Sequence, residues 1–430
     1  MNRILRIAFC GFLILLTGCS SLQSYDADWF NRIFYTPTPA SAKTATPSPQ
    51  PNTATPSTTE QPQPAVAEPL TLSIWVPPQF NPNLNNNAST LLKQRLASFE
   101  AEHPGIEIDV RIKSETGEAD LLNSLSITSM AAPAALPDLI ALPRPALETA
   151  AQKGLVRPLE GLSEELEGTD WYPYARDLGK VEGTTFGIPF AGDGLVIMYR
   201  SDLVWIKTWD SILLSESQLI FAGADPQSQV GLSMYVSAGG ELMDAQGNPT
   251  LDQEILTRVL DVFARGRAAT LFPDAAINIA TEEQVMQEYR ARRAEMAVAH
   301  FSQFRSSQDG LLQPLMGLDV EHLTFATGWV WSLAGQNSER QQLAVELAEY
   351  LTADEFLSRW IGQAGYLPTR PSVLDEADRE TMTPIIDAAE LVPPNEVLSV
   401  LGPIMQEALT RVISGEQPEV VARSVIEKLK

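Results

Sequence analysis

The chain has 430 residues, 44% of them hydrophobic, and a formal net charge of -24. Its length and apolar content suffice for two domains with buried cores, while the excess of acids excludes nucleic acid or an anionic lipid surface as a partner, because both would repel it. Cys10 and Cys19 both fall in the first twenty residues, and the 3 histidines, His103, His300 and His322, stand at no metal-binding spacing, so the sequence predicts no disulfide in the folded part, no metal and no cofactor.

The amino terminus reads as an export signal over residues 1–18, with Arg3 and Arg6 ahead of an apolar stretch from Ile7 to Leu16. That stretch is too short to span a bilayer, which needs roughly 20 apolar residues. Leu16-Thr17-Gly18-Cys19 resembles the bacterial lipobox, which implies cleavage before Cys19 and its lipidation. Residues 19–69 then form a tether, rich in Pro, Thr, Ala, Ser and Gln from Thr36 onward and unable to bury enough apolar surface to order itself. The protein is therefore expected outside the cytoplasm, held to the cell membrane through its lipid alone.

The globular part opens on Leu70–Val76, an alternating apolar run that predicts a strand. A helix follows with Leu92, Leu96 and Phe99 on one face, ending at His103-Pro104-Gly105. Ile106, Ile108, Val110 and Ile112 alternate as a second strand, Leu121, Leu122 and Leu125 mark a second helix, and Pro137–Leu142 a third strand. Strand, helix, strand, helix, strand implies parallel pairing. Further helices are predicted at 252–267, 339–351 and 354–363, the last two behind the apparent capping boxes Ser338-x-x-Gln341 and Thr352-x-x-Glu355. Two more are expected from Pro403 onward, with Pro403 and Pro418 in first-turn positions.

The order of these segments resembles the family 1 extracellular solute-binding proteins of ABC importers, the group that includes maltose- and trehalose-binding proteins. The resemblance rests on His103-Pro104-Gly105-Ile106, Leu136-Pro137-Asp138-Leu139, Lys153-Gly154-Leu155-Val156-Arg157-Pro158-Leu159, Gly187-Ile188-Pro189-Phe190, Val196-Ile197-Met198-Tyr199, Ala238-Gly239-Gly240-Glu241-Leu242, Ala294-Glu295-Met296-Ala297-Val298, Thr327-Gly328-Trp329 and Gly365-Tyr366-Leu367-Pro368-Thr369-Arg370. Each piece is weak alone and the ordered set is specific. Two positions depart from the pattern: Arg200 stands where the family usually has Asn or Asp, and Pro143-Arg144 where relatives often place a ligand-binding acid.

The resemblance implies an α/β, two-lobed periplasmic-binding-protein fold of type II (a venus flytrap), each lobe a mostly parallel sheet flanked by helices. One lobe would comprise 70–190 and 318–368, the other 194–315 and 372–430. The hinge would pass near Ala191-Gly192-Asp193-Gly194, Pro314-Leu315 and Pro368-Thr369-Arg370, where the two glycines would tolerate changes of backbone angle. It also implies a monomer that hands a small solute, a sugar above all, to the transmembrane subunits of an ABC permease. A lipid-anchored sensory or adhesive module without a transport role is the alternative.

A sugar offers hydroxyl edges and apolar C–H faces, so its site needs carboxylates or guanidiniums at the edge and aromatic rings on the face. Near the inferred cleft the sequence supplies Asp193 to accept from hydroxyls, Trp329 and Trp331 to stack, Arg370 to donate a fork of hydrogen bonds, Gly240 to let backbone approach, and Gln79 and His300 as further polar contacts. Each has a structural alternative: a loop cap for Asp193, core packing for the tryptophans, a salt bridge for Arg370 and a turn for Gly240. Gln79 and His300 belong with Arg144, Phe190, Tyr199 and Phe301 among the weaker candidates, for which a structural role is expected first. No nucleophile elbow, phosphate loop, His-Glu-x-x-His or dinucleotide fingerprint occurs, so no catalytic residue is expected and binding is favoured over catalysis.

Overall fold

The computed structural model describes residues 69–203, 207–304 and 310–429, all within one compact unit spanning 66–430. The expected signal over 1–18, Cys19 and the tether through residue 68 lie outside the described residues. Among the described residues no helix is long and apolar enough to cross a membrane.

Leu70–Val76 (β1) and Ile106–Ile112 (β2) pair in parallel along their whole length, from Leu70 opposite Ile106 to Val76 opposite Ile112. The connecting helix Asn87–Glu102 starts where the Asn86 side chain accepts from Ser89 N, and it buries Leu92, Leu96 and Phe99 as its spacing predicts. The helix Leu121–Ala131, capped by Asp120, leads to Leu139–Pro143 (β3), which pairs in parallel with β1. A small hairpin, Lys180–Val181 (β4) with Thr184–Thr185 (β5), stands apart.

The next strand, Ile188–Tyr199 (β6), runs for 12 residues, all of them buried. Beyond it come Leu219–Ile220 (β7), Met296–His300 (β8), Leu311–Pro314 (β9), Thr324–Leu333 (β10) and Ala389–Leu391 (β11). The resulting order is β2-β1-β3-β10-β6-β8-β7, with β11 beside β10 and β9 beside β6. Parallel pairing holds among β2, β1 and β3, between β7 and β8 and between β10 and β11. Antiparallel ladders enter through β10 and β6, which carry the chain from one half of the molecule to the other.

β6 belongs to both halves. Residues 188–194 pair with β10, whereas Leu195–Tyr199 lie between β8 and β9. Strand alternation then divides the core: Val196 and Met198 join a hydrophobic cluster continuous with the β1–β3 side, while Leu195, Ile197 and Tyr199 join a second cluster built with the helices Gln253–Ala268 and Asn395–Ile413. At the crossing, Gly192 exchanges backbone hydrogen bonds with Leu367, 2.8 Å and 2.7 Å long.

Local expectations are corrected in three places. The helix Ser338–Thr352 is capped by Asn337, whose side chain accepts from the Glu339 and Arg340 amides ahead of Ser338. Thr352 closes that helix by donating to Ala348 O, so it does not cap Asp354–Ala364. Pro403 sits inside the helix Asn395–Ile413, whose buried stripe of Leu398, Leu401, Met405 and Leu409 continues through it, while Pro418 does open the helix Pro418–Ile426. Gly192 lies in extended strand, and its lack of a side chain serves packing: a β-carbon there would overlap the Tyr174 hydroxyl, which donates to Pro368 O at 2.7 Å.

Gly192→Ala is therefore expected to cost about 1–3 kcal/mol by overpacking, and Tyr174→Phe to relieve part of it, so that the double variant costs less than the sum of the singles in urea unfolding. Strict additivity would contradict this reading of the crossing point.

Candidate functional site

A cleft of about 840 Å³ opens beside the crossing strands. β10 contributes Thr327 and Trp329, two residues apart and hence on one side of the strand. β6 contributes Asp193, directly opposite Thr327 in the ladder. Trp329 is held from behind by Phe80, whose ring meets it edge-on at 5.2 Å and also contacts Phe190, Trp360 and Tyr366. Gln79, next in sequence to Phe80, donates to Glu115 at 2.9 Å, and Tyr366 completes this wall.

The facing wall is polar. His300, at the end of β8, places Nδ1 2.6 Å from Glu282 Oε1 at the start of the helix Glu282–Arg290. The sequence places Glu282 there through a capping box, Thr281 accepting from Gln284 N while the Gln284 side chain accepts from Thr281 N. Asp193 is buried and fixed by two amides, accepting from Gly194 N at 2.9 Å and Ser302 N at 3.1 Å. Gln229, Gln227 and Gln303 add amide edges, and Pro143, Pro145, Val392 and Leu398 close the rim.

Burial governs the ionisation of this wall. It pushes the carboxyls of Asp193 and Asp225 above the usual range, opposed at Asp193 by His300 and the Ser302 hydrogen bonds. Burial alone would lower the His300 pKa, but the charge and hydrogen bond of Glu282, with Asp193 and Asp225 behind it, raise it from 6.5 to about 9. Burial likewise opposes ionisation of Glu282, and the His300 charge overcomes it, leaving the carboxyl below its ordinary value. Among the described residues no group of three His, Cys, Asp or Glu side chains is placed to hold a metal ion.

Of the residues singled out in the sequence, Trp329, Asp193, Gln79 and His300 line this cleft; Arg370, Trp331 and Gly240 do not. The Arg370 guanidinium is buried between Glu165 (2.8 Å) and Asp354 (3.3 Å) and lies over Trp171, which ties the segment after Leu367 to its neighbours. Trp331 stacks on Phe190 at 4.7 Å in the core. Gly240 makes room for the Tyr235 ring after the helix Gln229–Ser237. Arg144 pairs with Glu148 and donates to the carbonyls of Asp177, Leu178 and Lys180, capping the helix Pro173–Leu178. Phe190, Tyr199 and Phe301 are buried in the core clusters. Glu282, Gln229 and Tyr366 were not singled out; the Thr281-x-x-Gln284 box is the one local signal that marks Glu282.

A family model described as bacterial extracellular solute-binding protein matches residues 94–388. A mannitol-binding protein of Pseudomonas aeruginosa is 29% identical over 119 residues, 27% of this chain and 26% of its own length. The cyclic α-maltosyl-1,6-maltose binding protein of Arthrobacter globiformis superimposes with a TM-score of 0.68 at 13% identity, covering 84% of this chain and 99% of the other. The GacH receptor of Streptomyces glaucescens, solved unliganded and with acarbose, gives 0.65 at 17% identity over 84% and 97%. Maltose-bound MalE3 of T. maritima gives 0.65 at 18% identity over 84% and 99%. The two-lobed type II α/β fold is thus the fold of this chain.

Because the folded-state pKa of His300 lies above its unfolded value, its pairing with Glu282 stabilises the protein fully below about pH 6.5, and the contribution is lost as pH rises toward about 9. Between those limits the wild type is expected to lose up to about 3 kcal/mol more unfolding free energy than His300→Gln, measured by urea unfolding across the pH series. Parallel curves for the two proteins would contradict the assignment.

Proposed function

Since the chain belongs to the bacterial extracellular solute-binding proteins, we propose that it captures a carbohydrate in the cleft beside β6 and β10 and delivers it to an ABC importer, without catalysing a reaction on it. The observation that carries this reading is the pairing of a braced aromatic ring, Trp329, with a wall of carboxylate, amide and imidazole groups facing the same space. Such a wall suits hydroxyl edges, and the ring suits the apolar face of a pyranose. A volume of about 840 Å³ accommodates more than one sugar ring.

In this reading the lobes are 70–190 with 318–368 and 194–315 with 372–430. Trp329, Gln79 and Tyr366 stand on the first, and His300, Glu282 and Gln229 on the second. Asp193 occupies the crossing strand between them. A solute that touches both sets favours the closed arrangement by the difference between its affinities for the closed and open states, and the closed form is the one a permease would recognise. The lipid on Cys19 and the tether to residue 69 hold the lobes near that permease, outside the cytoplasm. Binding here needs no partner copy, in keeping with a monomer.

A thermal-shift screen of the purified protein against sugars, polyols, amino acids and short peptides tests this directly. A sugar or polyol at a hundred times its dissociation constant is expected to add about 2.7 kcal/mol of stability, and Trp329→Ala to abolish the shift at that concentration. Shifts confined to amino acids or peptides would overturn the carbohydrate reading, and a sugar shift untouched in Trp329→Ala would remove Trp329 from the site.

A further inference from the structure

Beside the cleft lies a side chamber of about 30 Å³, enough for one water-sized group. Gln229, Glu282 and His300 line both spaces. Leu195, Phe221 and Val298 line the chamber together with Asp225 and Ser228, and on two of the shared residues one polar atom each, His300 Nε2 and Gln229 Oε1, is buried with no hydrogen-bond partner in the protein. Buried polar atoms without partners are costly, and proteins keep them where something else completes the bonding.

The geometry points to a hydroxyl-reading subsite: we propose that one hydroxyl group of the bound solute enters this chamber, accepts a hydrogen bond from His300 Nε2–H and donates one to Gln229 Oε1. This rests on the carbohydrate reading above and says which part of the sugar the second lobe recognises.

The two orphaned atoms have opposite senses, and that is the chemistry of a hydroxyl. His300 Nδ1 carries a proton toward the Glu282 carboxylate at 2.6 Å. The carboxylates of Glu282, Asp193 and Asp225 surround the ring and keep it protonated at neutral pH, so Nε2 is also a donor. Gln229 Nε2 is engaged with Gln227 Oε1 at 2.7 Å, which leaves its own Oε1 as an acceptor. Gln229 is also the first residue of the helix Gln229–Ser237. The loop carrying Gln227 is held close by Gly402, where a β-carbon would come 2.8 Å from Gln227 Cα. A methyl, a hydrogen or a fluorine in place of the hydroxyl could not both accept from His300 and donate to Gln229.

The test is calorimetric titration of the purified protein with maltose, D-mannitol and D-tagatose, followed by the monodeoxy derivatives of each one that binds, in the wild type, His300→Phe and Gln229→Leu. Gln229→Leu leaves the His300–Glu282 pair intact and so guards against a variant that merely fails to fold. One monodeoxy derivative is expected to bind the wild type about tenfold or more weakly than its parent, and that penalty is expected to shrink in both His300→Phe and Gln229→Leu, each of which removes one of the hydroxyl's two partners. Equal penalties for every deoxy derivative in all three proteins would overturn the subsite while leaving carbohydrate binding standing. Binding of none of the three sugars to a cooperatively folded wild type would count against the carbohydrate reading and the subsite together.

Discussion

The structure depends on β6 being shared. Its 12 buried residues carry one set of backbone hydrogen bonds to β10 and another to β8 and β9. Neither half of the molecule completes its sheet without this strand. The switch of partners falls at Gly194–Leu195, directly after Asp193, so the one carboxylate of the strand sits where the halves meet. Burying that carboxylate is tolerated because Gly194 N and Ser302 N both donate to it, and because His300 lies near enough to oppose its loss of charge.

From that placement the division of labour in the cleft follows. The aromatic wall is rigid for a packing reason: Phe80 touches Trp329, Phe190, Trp360 and Tyr366, so the Trp329 ring cannot turn without disturbing a cluster of the core. The polar wall is rigid for an electrostatic one, since the His300–Glu282 pair is anchored by a helix start and by a strand end. One wall offers a surface and the other offers directed bonds. A ligand that satisfies both is held by shape and by hydrogen-bond direction together.

Much of this was legible in the sequence, because strand alternation and ordered local segments survive folding unchanged. Leu92, Leu96 and Phe99 fall on one buried face as their spacing requires, β1 and β2 occupy their expected runs, and β3 starts two residues later than expected, at Leu139. Trp329, Asp193, Gln79 and His300 reach the cleft from strands or the turn beside one. What local pattern does not carry is which way a side chain is drawn once the halves pack. Arg370 finds Glu165 from 205 residues away and Trp331 finds Phe190, and nothing near either residue announces those partners. Glu282 and Gln229 enter from helix starts whose position in space is set by tertiary packing. The misplaced caps at Ser338 and Thr352 have a simpler cause, a stronger neighbouring cap in Asn337 and a back-bond to Ala348.

In the proposed function a sugar bridges the two lobes and favours their closure. Small-angle X-ray scattering of the purified protein, with and without a saturating concentration of the sugar that gives the largest thermal shift, measures this most directly. A smaller radius of gyration is expected in the bound state, with the decrease lost at the same sugar concentration in Trp329→Ala. Superimposable scattering from the free and the saturated wild type would contradict it.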